Sequence, residues 1–387
     1  MTKANINRKM KIGVYIPTAS FFIGGGEIVP LMQARYIKKM GIRVEIITLK
    51  TKDVSPLFES FLNNYGNIPI KYIDPPNHLE EIADKVLDHT LTHMLYLSLT
   101  RGVSTLIMEQ KYDIVISHYA PAVFSVPKNV FQALVLHGTP SEYNVTNDAA
   151  VKSTDKIIAV SKSVALGWQR LTGASDIEVI HNGIDEKHFE PKNEKEDIDI
   201  LYIGRLIEIK GVQYLIRAIK GVVENKKVNS KLHVVIGGKG AYKCELEKLT
   251  KELNLGDYIQ FIEYIPEEDK VSYYNRSKIC VFPSYAKEGV LTTLLEAFSC
   301  GRAVITTDSC GMVDIVKSDN NGILVKPQNS LALENKIEEL LNNPKKRASI
   351  GRNARNTVLS SWSWRESTNK LMRFITESYE KFNNQII

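Results

Sequence analysis

Cysteine is scarce in this chain, and its placement excludes two common kinds of site. Four cysteines occur in 387 residues (Cys244, Cys280, Cys300 and Cys310), all in the second half and none in a Cys-x-x-Cys pair. That spacing argues against a disulfide framework and against a cysteine-based metal site, and it fits free thiols in a reducing cytoplasm. Long apolar runs are missing as well. The most apolar helical stretch, Val86 to Met108, is broken by Asp88, His93 and Arg101, so it does not read as a membrane span. Met1 to Met10 is polar, and no secretory signal is expected from it. Charge bias is weak: 50 basic against 44 acidic side chains leave +6. That is too little to argue for nucleic acid, but it suits anionic substrates or peripheral contact with an anionic membrane. No repeat of solenoid length and no low-complexity tract appears.

What is present is a globular α/β chain long enough for two domains. Short β-rich runs alternate with helical stretches. Lys11–Pro17 reads as a first strand, followed by the glycine loop Phe21–Glu27 and a helix ended by Gly41. Glycine lets backbone approach an anion and a helix start favours negative charge, so Gly25 and Gly26 are candidate phosphate contacts. The spacing is not the Gly-x-Gly-x-x-Gly of a dinucleotide site. Arg35, Lys38 and Lys39, with Arg43 just beyond, form either a solvated face or a patch for anionic lipid headgroups. Asp113–His118 and Gln132–His137 are two successive strands ending in histidine, which makes His118 and His137 site candidates. Asn182-Gly183 is a turn pair, and the charged stretch after it, containing Pro191, reads as a linker. The domain boundary is expected near 190.

The second half repeats the alternation. Asp199–Leu206 is a strand and turn carrying Arg205, and Lys210-Gly211 opens the next helix. Further on, Tyr285 to Val316 reads as polar loop, helix and strand. Glu288 and Gly289 lie in the loop, and a helix from Thr293 to Cys300, closed by Gly301, carries Glu296. The candidate groups sit at the carboxyl end of a strand, where open α/β sheets bind ligands. Glu296 also has another reading: Thr293-Leu-Leu-Glu296 spells a capping box, in which the carboxylate only satisfies a helix-end donor. Glu288 alone could be a solvated loop charge.

The run from Glu288 through Leu294, Glu296, Ala297 and Gly301 to Val304 and Ile305 resembles the donor-site signature of the retaining glycosyltransferases of family 4. It contains their Glu-x7-Glu spacing within E-G-x-x-x-x-L-L-E-A-x-x-x-G-x-x-V-I. Gly204, Arg205, Leu206, Lys210 and Gly211 match the family's G-R-L-x-x-x-K-G as well. The resemblance spans nearly the whole chain. It implies the GT-B fold, two Rossmann-like doubly wound domains facing a cleft: an acceptor-side domain (1–190), a nucleotide-sugar domain (191–365) and a terminal helix (366–387) crossing back to the first.

The implied function is transfer of a hexosyl or N-acetylhexosaminyl group from a nucleoside-diphosphate sugar, UDP-linked, to an acceptor hydroxyl in cell-envelope polysaccharide or glycan synthesis. The acceptor would be a glycan, a lipid-linked species or a protein. By resemblance Glu288 lies against the donor sugar, Glu296 holds the ribose hydroxyls, and His137 reaches the sugar or acceptor. Arg205 and Lys210 hold the diphosphate, and Gly25, Gly26, Gly289, Thr292, Thr293 and Leu294 complete the donor site. No cofactor and no metal is implied, the cations and helix-start amides taking a metal's place. Family members often carry Gly or Pro where this chain has Leu291, so the loop is expected to be shaped differently there. Two rivals are a catalytically silent sugar-nucleotide-binding paralogue or partner subunit, and a nucleotide-sugar epimerase of the same architecture.

Overall fold

A computed structural model describes residues 10–20, 25–50, 54–65, 68–74, 100–139, 142–225, 232–287, 289–309 and 311–386. They form two compact units, Met1–Asn182 with Trp364–Ile387, and Gly183–Ser363.

The first unit holds strands β1 (Lys11–Tyr15), β2 (Arg43–Leu49), β3 (Ile70–Ile73), β4 (Ile114–Ser117), β5 (Phe131–Leu136), β6 (Lys156–Ala159) and β7 (Ile177–Val179). Among the described residues they pair in parallel in the order β3-β2-β1-β4-β5-β6-β7. The order reverses between β1 and β4, the topological switch at which doubly wound sheets open a crevice. β4 and β5 are buried along their whole length and apolar apart from Ser117 and Gln132, as suits strands covered on both faces. The edge strand β3 has no sequence counterpart above, because only Ile73 is fully buried and the alternation is too short to read. Residues 86–99 of the apolar stretch noted above lie outside the described residues; the remainder of that stretch is in the helix Thr100–Gln110.

The second unit holds β8 (Ile198–Ile203), β9 (Val234–Gly237), β10 (Ile259–Ile262), β11 (Ser277–Phe282), β12 (Ala303–Thr307) and β13 (Ile323–Val325). They too are parallel, in the order β10-β9-β8-β11-β12-β13, with the reversal between β8 and β11. The helix Val212–Asn225 shows why the unit holds together. It buries Val212, Leu215, Ile216, Ala218, Ile219 and Val222, one stripe at helical spacing.

The divisions expected at 190/191 and 365/366 are displaced by a few residues. Ile184 and Phe189 belong to the second core, where the Ile184 amide donates to Trp362 O (2.9 Å) and Ser299 Oγ donates to Phe189 O (2.6 Å). The stretch that reads as a linker is thus already stitched down. Trp364 opens the last helix, Trp364–Ile386, inside the first core. Tyr379 and Phe382 of that helix meet the ring of Phe131 edge-on.

Candidate functional site

In the second unit the residues of interest leave the two strands that flank the switch. After β8, the turn Gly204–Leu206 is clasped to the exit of β9. Gly204 N donates to Gly237 O (3.0 Å) and Leu206 N to Lys239 O (2.7 Å). Gly238 is needed there because a Cβ would stand 1.9 Å from Gly204 O. Tyr202 Oη donates to Arg205 O (2.9 Å), fixing the backbone while the Arg205 side chain is exposed and carries no partner among the described residues. A 3-10 turn, Glu208–Lys210, then ends at Gly211, whose φ of +74° favours glycine. Lys210 is buried beside that turn. Tyr285 N, at the exit of β11, donates to Ile209 O (3.0 Å), so the two switch-point loops are tied to each other.

Glu288 lies outside the described residues. Gly289 and Val290 are buried next to Gly311, and the helix that follows is Thr292–Ser299. Its N-cap is Leu291, with extended backbone and no side-chain cap. Thr293 therefore sits inside the first turn and the capping-box reading does not hold. The helix ends as the sequence suggests, with Gly301 left-handed at φ +67°. The first amides of this helix, near Thr292 and Thr293, have no side-chain acceptor among the described residues, which is the usual setting for an anion. Leu294 presents nothing to a ligand. Its side chain is fully buried in the core and its amide donates to Leu291 O (3.1 Å), a correction to its place among the donor contacts.

Glu296 points inward and is 3% exposed. Its Oε2 accepts from Tyr274 Oη (2.7 Å), and its Oε1 stands 3.8 Å from Lys270 Nζ. Burial pushes the Glu296 carboxyl up, and Lys270 pulls it back without cancelling the rise. Burial would lower Lys270, but Glu296 and Glu267 outweigh it and raise the ammonium above its ordinary value. Tyr274, raised by burial and then by Glu296, remains a neutral donor. Tyr274 and Lys270 were missed in the sequence. They stand four apart on the helix Glu267–Arg276, and only tertiary packing aims that face at Glu296.

In the first unit the two histidines meet. His118 Nδ1 and His137 Nε2 are 2.9 Å apart, with the rings stacked at 25°. Their strands are neighbours, with Ser117 in register with Leu134. The turn beyond His137 is held by Trp168, whose indole donates to Gly138 O (2.8 Å). Gly167 admits Thr139, which would lie 2.1 Å from a Cβ. Gly25 and Gly26 are the first two residues of the helix Gly25–Lys39 rather than loop, so the loop expected before them falls on residues outside the description.

Burial lowers His137 to about 4. His118, lowered by burial and then by its neighbour, lies well below its ordinary range. Both rings are thus neutral near pH 7, one donating and the other accepting. No ring proton uptake is expected between about pH 5.5 and 8. Because the folded values lie below the ordinary histidine value of about 6.5, the unfolded chain takes up these protons first. The stability they contribute is complete above about pH 6.5 and is lost as pH falls toward 4. NMR titration of the ring resonances checks this, and a ring titrating near 6.5 would contradict it.

Two family models match the chain. One, described as Glycosyltransferase Family 4, covers residues 23–188, and the other, Glycosyl transferases group 1, covers 183–357. The chain is 28% identical over 226 residues to an uncharacterized glycosyltransferase of Methanocaldococcus jannaschii, covering 56% of this chain and 57% of that one. It is 29% identical over 234 residues to the capsular polysaccharide biosynthesis glycosyltransferase CapM of Staphylococcus aureus, covering 59% and 60%. The chain thus spans between half and two thirds of the length of these curated relatives. Among solved structures, HepE of Anabaena in complex with UDP superposes with a TM-score of 0.77 at 18% identity, over 95% of this chain and 100% of that one. That likeness carries the fold, GT-B.

Proposed function

We propose that this chain, which belongs to the family 4 glycosyltransferases, transfers a sugar from a UDP-linked donor to a hydroxyl of a glycan, with retention at the anomeric carbon. The observation that carries the reading is the pair of tied loops at the second sheet's switch point. They bring Arg205, Lys210 and an uncapped helix start to the exits of adjacent strands. Departure of a nucleoside diphosphate builds negative charge, and fixed cations and amides at that point lower the barrier. The UDP found with HepE and the capsular polysaccharide role of CapM support this choice of donor and acceptor class.

In the reaction the bond from the anomeric carbon to the phosphate oxygen breaks as the bond to the acceptor oxygen forms on the same face. The acceptor proton passes to the leaving phosphate. Glu288 and the neutral His137 position the sugar, Arg205 and Lys210 hold the diphosphate, and Glu296 orients the ribose. The transferred group is a hexosyl or N-acetylhexosaminyl unit. No metal takes part in this scheme, so turnover is expected to survive EDTA unchanged. NMR of the product tests the stereochemistry: an α-linked product from an α-linked donor supports retention, and a β-linked one overturns it.

The acceptor is proposed to be at a membrane face. Lys38, Lys39 and Arg43 are exposed at the end of Gly25–Lys39 and the start of β2, while no helix among the described residues is long and apolar enough to cross a bilayer. Sedimentation with anionic liposomes is expected at low salt and lost at high salt. Failure to sediment at low salt would remove the membrane from the account.

A further inference from the structure

The second unit has a charged hollow at the opposite edge of its sheet from the loops described above. It encloses about 550 Å³ and gathers Glu196, Lys278, Arg302, Arg347, Arg352 and Arg355. Glu196 precedes β8, Lys278 lies at the start of β11, and Arg302 comes just before β12. The hollow therefore opens at the amino ends of the strands. Five to six residues at about 3.3 Å each separate it from the switch-point loops by roughly 15–20 Å.

Its charges are not balanced by the protein. Arg302, 15% exposed, places Nη1 3.0 Å from one oxygen of Glu196 and also donates to Asn275 O and Ser277 O. Arg347, 13% exposed, stands 3.7 Å from the other oxygen of the same carboxylate. Arg355 uses Nη1 on Phe189 O, Ser299 O and Ser299 Oγ, all neutral, and meets no carboxylate among the described residues. Arg352 is exposed on the same face of the helix Pro344–Ser361 with no partner among the described residues. Lys278 is matched by Asp199 at 2.7 Å. One carboxylate thus serves Arg302 and Arg347, while Arg352 and the half-buried Arg355 meet none among the described residues, although a charge drawn back from water is ordinarily paired.

We propose that this hollow is a second anion site, taking a small molecule that carries phosphate. Guanidinium forks match phosphate oxygens in pairs, and the unused Nη2 groups of Arg302 and Arg355 supply such donors. The volume is that of a small-molecule pocket, and Gly301, Ala303 and Ala348 keep side chains out of its floor. Glu196 faces the same space, so the bound anion sits among the arginines and away from that carboxylate. The site is independent of the transfer reaction and does not rest on it.

The probe is inorganic pyrophosphate, titrated calorimetrically at low ionic strength into the full chain carrying Arg205→Ala and Lys210→Ala, which silences the switch-point loops. One-to-one binding is expected, weakened about tenfold when Arg352→Glu is added and further by Arg347→Gln. Arg352 bonds to nothing among the described residues, so its variant keeps the wild-type unfolding temperature. No binding to the Arg205→Ala/Lys210→Ala chain, or binding indifferent to both arginine substitutions, would overturn the proposal.

Discussion

Replacing Lys210 with alanine is expected to lower kcat/KM for sugar transfer by about 100- to 1,000-fold, the cost of removing one fixed charge from a developing oxyanion. The residue ends the turn Glu208–Lys210, and the left-handed Gly211 carries the chain onward past Pro283, whose carbonyl would stand 2.1 Å from any Cβ. That turn is bound through Ile209 O to Tyr285. Its backbone is held by these neighbours, and the variant is expected to fold. Lys210→Arg is expected to recover only part of the loss, because a planar fork does not replace a compact ammonium in a buried position. Steady-state kinetics with the cognate donor reads the outcome. A Lys210→Ala enzyme within a few fold of wild type would move the diphosphate elsewhere.

Glu296→Ala is expected to cost the second unit roughly 3–5 kcal/mol, the usual consequence of removing one member of a buried charged pair. The substitution leaves the Tyr274 hydroxyl without its acceptor and Lys270 with Glu267 alone. Glu296→Gln keeps an oxygen for Tyr274 and should lose much less. Urea unfolding measures the difference. The glutamine variant also separates two roles that the alanine variant merges. If Glu296 orients the ribose, Glu296→Gln raises the KM for the donor while the unfolding midpoint stays near wild type. A glutamine variant with unaltered KM would leave Glu296 as a core residue only.

Much of the fold was legible because parallel strands buried on both faces are dominated by apolar residues, as β5, β8 and β11 are apart from Gln132, Asp199, Ser277 and Lys278. The Asn182-Gly183 pair spells a turn, but neither residue takes a turn conformation or a positive φ; the two units nonetheless divide between them. What failed depended on tertiary contact. Thr293 spells an N-cap, but Leu291 takes that position because the loop leaving β11 delivers it with φ −63° and ψ 130°. Gly25 and Gly26 spell a loop, yet they form a helix turn. Residues 186–197 look like a charged linker, and Ser299 and Arg355 nonetheless bind Phe189 O. The histidines could be picked from the ends of their strands, but not the 2.9 Å contact between them, which needs β4 and β5 to be neighbours. Nothing in the spelling of Lys270 or Tyr274 indicates that they face Glu296.

The most direct measurement is a panel of nucleoside-diphosphate sugars, read by thermal shift and by release of free diphosphate with and without a glycan acceptor. Wild type would be compared with Lys210→Ala and Glu288→Ala. The account predicts that one UDP-sugar stabilises the wild-type chain and is turned over by it, faster with acceptor, and that both variants lose turnover. Binding without turnover, equal in wild type and Glu288→Ala, would mean a sugar-nucleotide-binding protein that does no chemistry. Acceptor-independent conversion of the donor to its epimer, or no binding of any donor, would contradict glycosyl transfer outright.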